Sequence, residues 1–190
     1  SIGELFDQIQ FGTSGSYLIP MYQRGYTWGK REIGQLLNDF FHAFTEWENR
    51  KNNQDGNGPL PYYLGTLVVM QRTYENIPSW EVVDGQQRLT TLVLLYKCLG
   101  LLDSVKESFL HFENRPLART FLDKFFSAHA VTNMQCAEWG ADESFELFAD
   151  AISLLTKDSV NRAFKEYKLE DLEQEAFASG GQANFVNDNH

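Results

Sequence analysis

From Lys30 to Glu48 the apolar residues Ile33, Leu36, Leu37, Phe40, Phe41, Phe44 and Trp47 recur at helical spacing with polar residues between them. That periodicity predicts an amphipathic helix with one broad buried stripe. Ahead of it, Ser1 followed by Glu4 fits a capping box and predicts a short helix to about Ile9, which "FGTSGS" breaks. Tyr17 to Pro20 then reads as a strand. Beyond the polar loop "NRKNNQDGNGPLP", Tyr62 to Met70 predicts a buried strand and Trp80 to Val83 its hairpin partner, joined by "TYENIPS". The stretch after Asp84 behaves differently. Leu92, Val93, Leu94, Leu95 and Tyr96 follow one another without a polar break, so the helix predicted from here to about Leu102 is apolar on every side and belongs inside a core. Pro116 to Phe126, Glu143 to Thr156 and Ser159 to Phe177 predict further helices of mixed charge. The pattern describes an α+β fold: a small sheet with packed helices over residues 1–112, followed by a helical region over residues 113–190.

Composition narrows the function classes. Of 190 residues 43% are apolar and 14% aromatic, with only five Pro, as expected for a globular protein with a substantial core. A formal net charge of −10 argues against holding nucleic acid by overall electrostatics, so any phosphate contact has to be local. Cys98 and Cys136 lie in no metal-ligand or redox spacing, and Cys98 reads as small core filler within an apolar helix. No apolar run approaches the roughly 18 residues a membrane span needs, and the amino terminus lacks a signal-peptide layout, which points to a cytoplasmic protein without a membrane partner. A start at Ser1 and the tail "ASGGQANFVNDNH" suggest part of a longer chain.

The chemistry concentrates where the apolar helix begins. Its first turns carry Asp84, Gln86, Gln87, Arg88, Thr90 and Thr91, and burying such groups unpaired costs about 1–3 kcal/mol each. Capping accounts for some of them: Asp84 as N-cap and Gln87 at the third helical position form a capping box, and Gly85 eases the strand-to-helix turn. Arg88 is not covered by that account, because a cation in a first turn opposes the helix dipole. Either a carboxylate of the chain neutralises it or a bound phosphate does, meeting both the guanidinium and the free N–H groups of the helix start. In "IPMYQRGYTW", Arg24 lies among Tyr22, Tyr26 and Trp28, a setting for stacking on a ring or base, or for a core corner with a snorkelling Arg. Gln23-Arg24 and Gln87-Arg88 both follow likely strands, which favours a shared anion site. No G-x-x-x-x-G-K-[ST] phosphate loop occurs, and the four His stand apart, His42 reading as structural within its helix. The acidic "CAEWGADESFE" reads as a solvated face.

Taken together, "IPMYQRGYTW", "YYLGTLVVM" and "VVDGQQRLTTLVLLY" resemble the three signature blocks of the GmrSD restriction-endonuclease N-terminal domain family, whose core resembles the ParB/sulfiredoxin-like superfamily. The resemblance covers roughly Ser1 to Leu102. It implies binding and hydrolysis of a nucleoside triphosphate in a bacterial defence system that acts on phage DNA with modified bases or phosphorothioate backbones. It also implies that Asp84, Gly85, Gln86, Gln87 and Arg88 form the nucleotide site, with Tyr22, Gln23 and Arg24 beside it. On that basis Arg24 and Arg88 are expected to hold phosphates, and Tyr22, Tyr26 and Trp28 to stack on the base or shape the pocket. Asp84 is expected to hold Mg²⁺ or cap the helix, Gln86 or Gln87 to orient the attacking water, and Thr90 and Thr91 to support the site from behind. Larger members resembling this chain carry a C-terminal His-Asn-His-type nuclease domain. No such motif occurs here, so DNA cleavage is expected from a further domain or a separate nuclease that this unit gates. Two other functions remain open: a non-enzymatic sensor of DNA modification using the same Gln and Arg groups on the phosphate backbone, and a ParB-like domain that nicks DNA itself. The acidic charge weighs against both.

Overall fold

The computed structural model describes residues 16–52, 62–101, 110–128, 131–132, 135, 137–138 and 146–167. The helix expected before Ile9 lies outside these residues. Strand β1 is Ser16–Ile19, helix α1 Lys30–Asn52, β2 Val68–Tyr74, β3 Ile77–Asp84, α2 Gln86–Cys98, β4 Leu110–Phe112, α3 Pro116–Ser127 and α4 Glu146–Leu155. A further helical stretch spans 157–167. The four strands make one sheet in the order β2-β3-β1-β4, with β1 parallel to both β3 and β4, and β2 antiparallel to β3. This is the α+β architecture expected, a small mixed sheet with helices packed on it.

Several boundaries differ from those expected. The second strand starts at Val68, not Tyr62, and extends to Tyr74, and it is mostly exposed because it forms a sheet edge. Its connection to β3 is shorter than "TYENIPS": Tyr74 pairs with Ile77, leaving only Glu75 and Asn76 in the turn, at φ 47 and 64. Paired left-handed residues match the twist of a hairpin, and Asn tolerates them. Helix α2 stops at Cys98, where Gly100 at φ 74 accepts the left-handed bend and the Leu101 N–H returns to the Tyr96 carbonyl. Three-residue β4 has no counterpart in the expected elements.

Alternation along the strands sorts the sheet into two faces. Tyr17, Ile19, Val82, Leu110 and Phe112 point into a core shared with Leu37 and Phe41 of α1, Leu92 to Leu95 of α2, Phe121 and Phe125 of α3, and Ile152 and Leu155 of α4. Helix α2 is buried around its circumference, as its composition requires. This one core takes residues from both sides of position 112. A column of rings helps to join them: Tyr26 stacks on Phe148 at 5.2 Å, Phe148 on Phe121 at 4.8 Å, and Phe121 on Phe125 at 6.0 Å. His42 has the structural role expected, its Nδ1 hydrogen-bonded to the Tyr167 hydroxyl. No helix among the described residues is long and apolar enough to cross a membrane.

Candidate functional site

Three parallel strands end on the same side of the sheet, and the chain leaving each end carries an Arg. After β1 comes Pro20 to Arg24, after β3 comes Gly85 to Arg88, and after β4 comes Glu113 to Arg115. The carboxyl ends of parallel strands are where open α/β sheets hold ligands, because loops there fan out over a rigid rim.

At the end of β3 the expected capping box does not form. Gly85, at φ 90, is itself the N-cap of α2, and no side chain caps the helix among the described residues. The left-handed bend moves the helix start one residue later, so Asp84 remains an exposed strand residue and Gln87 occupies the second helical position. Its amide turns away from the helix, donating to the Gly25 carbonyl at 2.7 Å and accepting the Thr27 N–H at 2.8 Å. The first turn contains no acidic residue. The N–H groups of the helix start and the Arg88 cation therefore lie together in a first turn without a carboxylate, although Asp84 stands just ahead of it.

The loop between β1 and α1 is tied down along its length. Gln23 donates to the Val83 carbonyl at 2.7 Å and accepts from Gln86 Nε2 at 3.0 Å. The Tyr26 hydroxyl bonds Thr91 Oγ1 at 2.9 Å, and burial pushes the phenol up to about 12. With its ring in the core, Tyr26 is not free to stack on a ligand; half-buried Trp28 also packs against the core. Thr90 and Thr91 are buried and return their hydroxyls to the Gln86 and Gln87 carbonyls. Tyr22 and Arg24 are exposed. Among the described residues no carboxylate pairs with Arg88, the partner expected if the chain neutralised it internally, or with Arg24.

The middle block, "YYLGTLVVM", supplies a wall that the strand pattern did not foretell. Leu64 to Leu67 run as irregular chain against the α2 start, and Arg88 Nη1 donates to the Thr66 carbonyl at a long 3.4 Å. The approach depends on two glycines. A β-carbon on Gly65 (φ 95) would lie 2.6 Å from Arg88 Nη1, and one on Gly85 would lie 2.9 Å from the Thr66 carbonyl oxygen.

Sequence reasoning also missed an ion cluster on the face of the sheet away from the core. Arg72 on β2 reaches Glu81 Oε2 and Glu113 Oε1, each at 2.7 Å. Glu81 accepts the Tyr22 hydroxyl at 2.7 Å, and Glu113 accepts the Met21 N–H at 3.1 Å. Two carboxylates held by one guanidinium thus anchor the loop that presents Arg24. The Tyr22 phenol and then Arg72 hold the Glu81 carboxyl below the usual range, while Arg72 and then the Met21 N–H do so for Glu113. Glu81 in turn raises the Tyr22 phenol. Alternating positions in β3 hinted that Glu81 shares a face with Ser79, but its partner 9 residues back and the link to Glu113, 41 residues from Arg72, leave no local signal.

Among the described residues no three His, Cys, Asp or Glu side chains gather as a metal cage. Mg²⁺ needs none: it is commonly held by one or two carboxylates together with substrate phosphates and water. Exposed Asp84, next to the α2 start, has the chemistry for that part. Among the described residues two polar atoms at the rim are buried without a partner, Gln86 Oε1 and Arg115 Nη1.

Comparison with proteins of curated function returns no match. The family model for the GmrSD restriction endonuclease, N-terminal domain, matches residues 2–185, well past the Leu102 limit of the recognisable motifs and across α3 and α4. With its three motif blocks assembled on one rim and nearly its whole length matched, the chain belongs to the GmrSD restriction endonuclease N-terminal domain family.

Proposed function

We propose that this domain binds a nucleoside triphosphate at the start of α2 and hydrolyses it, and that the turnover gates DNA cleavage in a restriction system. The observation that carries the reading is the α2 amino terminus: uncapped, free of acidic residues, and bearing Arg88 without a carboxylate among the described residues. Helix starts of this kind bind phosphate, and the guanidinium adds a two-pronged donor.

Hydrolysis at such a site is chiefly positioning and charge stabilisation. Arg88 and Arg24 supply cations from two strand ends. Gln87 has both ends of its amide engaged with the loop, so it positions Gly25 and Thr27 and does not handle water. Gln86 Oε1 has no partner among the described residues but is buried, so Gln86 is the Gln that can accept a hydrogen bond from an attacking water only once the ligand opens access to it. Asp84 would hold Mg²⁺, which when bound neutralises charge on the phosphate oxygens. Exposed Tyr22, fixed through its hydroxyl, offers a ring face to the base.

The test is phosphate release from each of the four common nucleoside triphosphates with Mg²⁺, comparing wild type with Arg88→Ala at matched thermal stability. Release by wild type, abolished in the variant, supports the reading. Salt-sensitive binding to modified duplex DNA without turnover would replace it with a sensor, and plasmid nicking by this chain alone with a nuclease.

A further inference from the structure

The third strand end has no part in the reading above, yet it carries the same kind of group. Phe112 closes β4, Asn114 takes the left-handed conformation at φ 55, and Arg115 follows as the N-cap of α3, whose first residue is Pro116. Asn accepts that conformation more readily than most residues, and Pro is suited to the first helical position. Arg115 therefore stands on the rim because of the local sequence "FENRP".

Its guanidinium lies over the Phe112 ring at 6.0 Å, and Nη2 donates to the Gln23 carbonyl. Gln23 immediately precedes Arg24, and its side chain accepts from Gln86 at the first position of α2. Arg115 thus touches the residue that links the other two strand ends. Among the described residues buried Nη1 donates to nothing, Gln86 Oε1 beside the same Gln23 accepts nothing, and no carboxylate pairs with Arg115. By contrast Arg72 has two carboxylates. A half-buried cation with an unused donor is costly to keep unless something else takes that donor.

We infer that Arg115 is the third cation of the anion site, contacting the terminal phosphates of the bound polyanion together with Arg24 and Arg88. The inference rests on the proposed phosphate site. The side chain is half-buried, and its rotation exchanges the neutral Gln23 carbonyl for anionic oxygens, a stronger partner for a guanidinium.

Inorganic tripolyphosphate serves as a base-free probe, with binding to wild type, Arg115→Gln and Arg115→Lys measured by calorimetry across a salt series. Wild type is expected to bind, Arg115→Gln to lose at least tenfold in affinity, and its salt dependence to be shallower because one contacting charge is gone. A purely structural Arg115 would weaken binding without changing the salt dependence, and that result overturns the inference, as does an Arg115→Gln affinity within twofold of wild type. If Arg115→Gln does not fold, Arg115→Lys decides: the retained charge should preserve the salt dependence while loss of the forked donor costs about fivefold in affinity, and wild-type affinity would overturn the inference. No binding of tripolyphosphate or nucleotide by wild type overturns the phosphate site itself, and this inference with it.

Discussion

Gly65 and Arg88 share a space that only one of them can fill: a β-carbon at Gly65 would stand 2.6 Å from Nη1, 2.8 Å from Cζ and 2.9 Å from Nη2 of the arginine. The obstructing atoms are the mobile end of a long side chain, so Gly65→Ala is accommodated by pushing the guanidinium aside. Strain at φ 95 costs about 1–3 kcal/mol. The larger effect is on function. Nucleotide affinity is expected to fall at least tenfold, read by titration at a temperature where denaturation curves show the variant folded; unchanged affinity would mean that the position of Arg88 does not matter.

Gly85→Ala should behave in the opposite way. Its β-carbon would meet the Thr66 carbonyl at 2.9 Å and the Leu67 Cα at 3.4 Å, backbone atoms that cannot swing away. Added to the left-handed strain, this predicts a loss of about 3 kcal/mol in urea unfolding. A loss below that of Gly65→Ala would contradict the tight packing of the middle block on the helix start.

Arg24→Gln removes an exposed side chain with no carboxylate partner among the described residues, so its thermal stability should stay within about 0.5 kcal/mol of wild type. Phosphate release is nevertheless expected to drop by a factor of ten or more. Wild-type turnover in a folded Arg24→Gln protein would remove the β1 end from the site.

Gln87→Leu keeps the size of the side chain and deletes both bonds to the loop, leaving the Gly25 carbonyl and Thr27 N–H unpaired. About 2 kcal/mol of stability should be lost. Hydrogen exchange at Thr27 should accelerate with it, and continued protection there would show that the amide is not what holds the loop.

The carboxylates that anchor the loop make a pH prediction. Glu81 and Glu113 are lowered in the folded protein from an ordinary value of 4.5. Their contribution is fully present above that value and is lost as the pH falls through the lowered folded values. Thermal scans from about pH 6 to about pH 3 should show an acid-sensitive step that is smaller in Glu113→Gln. Carbon NMR of the glutamate carboxyls should show Glu81 titrating at higher pH in Tyr22→Phe, since the phenol is the first cause of its shift. An unmoved Glu81 would detach Tyr22 from the cluster.

How much of this was legible depends on where the determining contacts lie. Ile33, Leu37 and Phe41 mark the α1 stripe within one segment, and the unbroken Leu92 to Leu95 run announces a helix enclosed on all sides. The three motif blocks, too, could be read directly. The capping box failed because Asp84 and Gln87 satisfy its spacing while Gly85 alters the backbone between them, and a left-handed bend is not visible in a spacing rule. Leu110 to Phe112 escaped notice because three residues carry almost no periodicity, and their strand identity comes from pairing with Tyr17 to Ile19. Arg115 and the Arg72 cluster were hidden for the same reason: what gives them meaning is a neighbour far away along the chain.

Tyr26 is bonded through its hydroxyl to Thr91 and stacked through its ring on Phe148, which in turn rests on Phe121. The motif loop cannot shift at this point without moving a ring that belongs equally to the helices beyond residue 112. The packing of those helices and the position of the motif loop are therefore set together, through one column of rings.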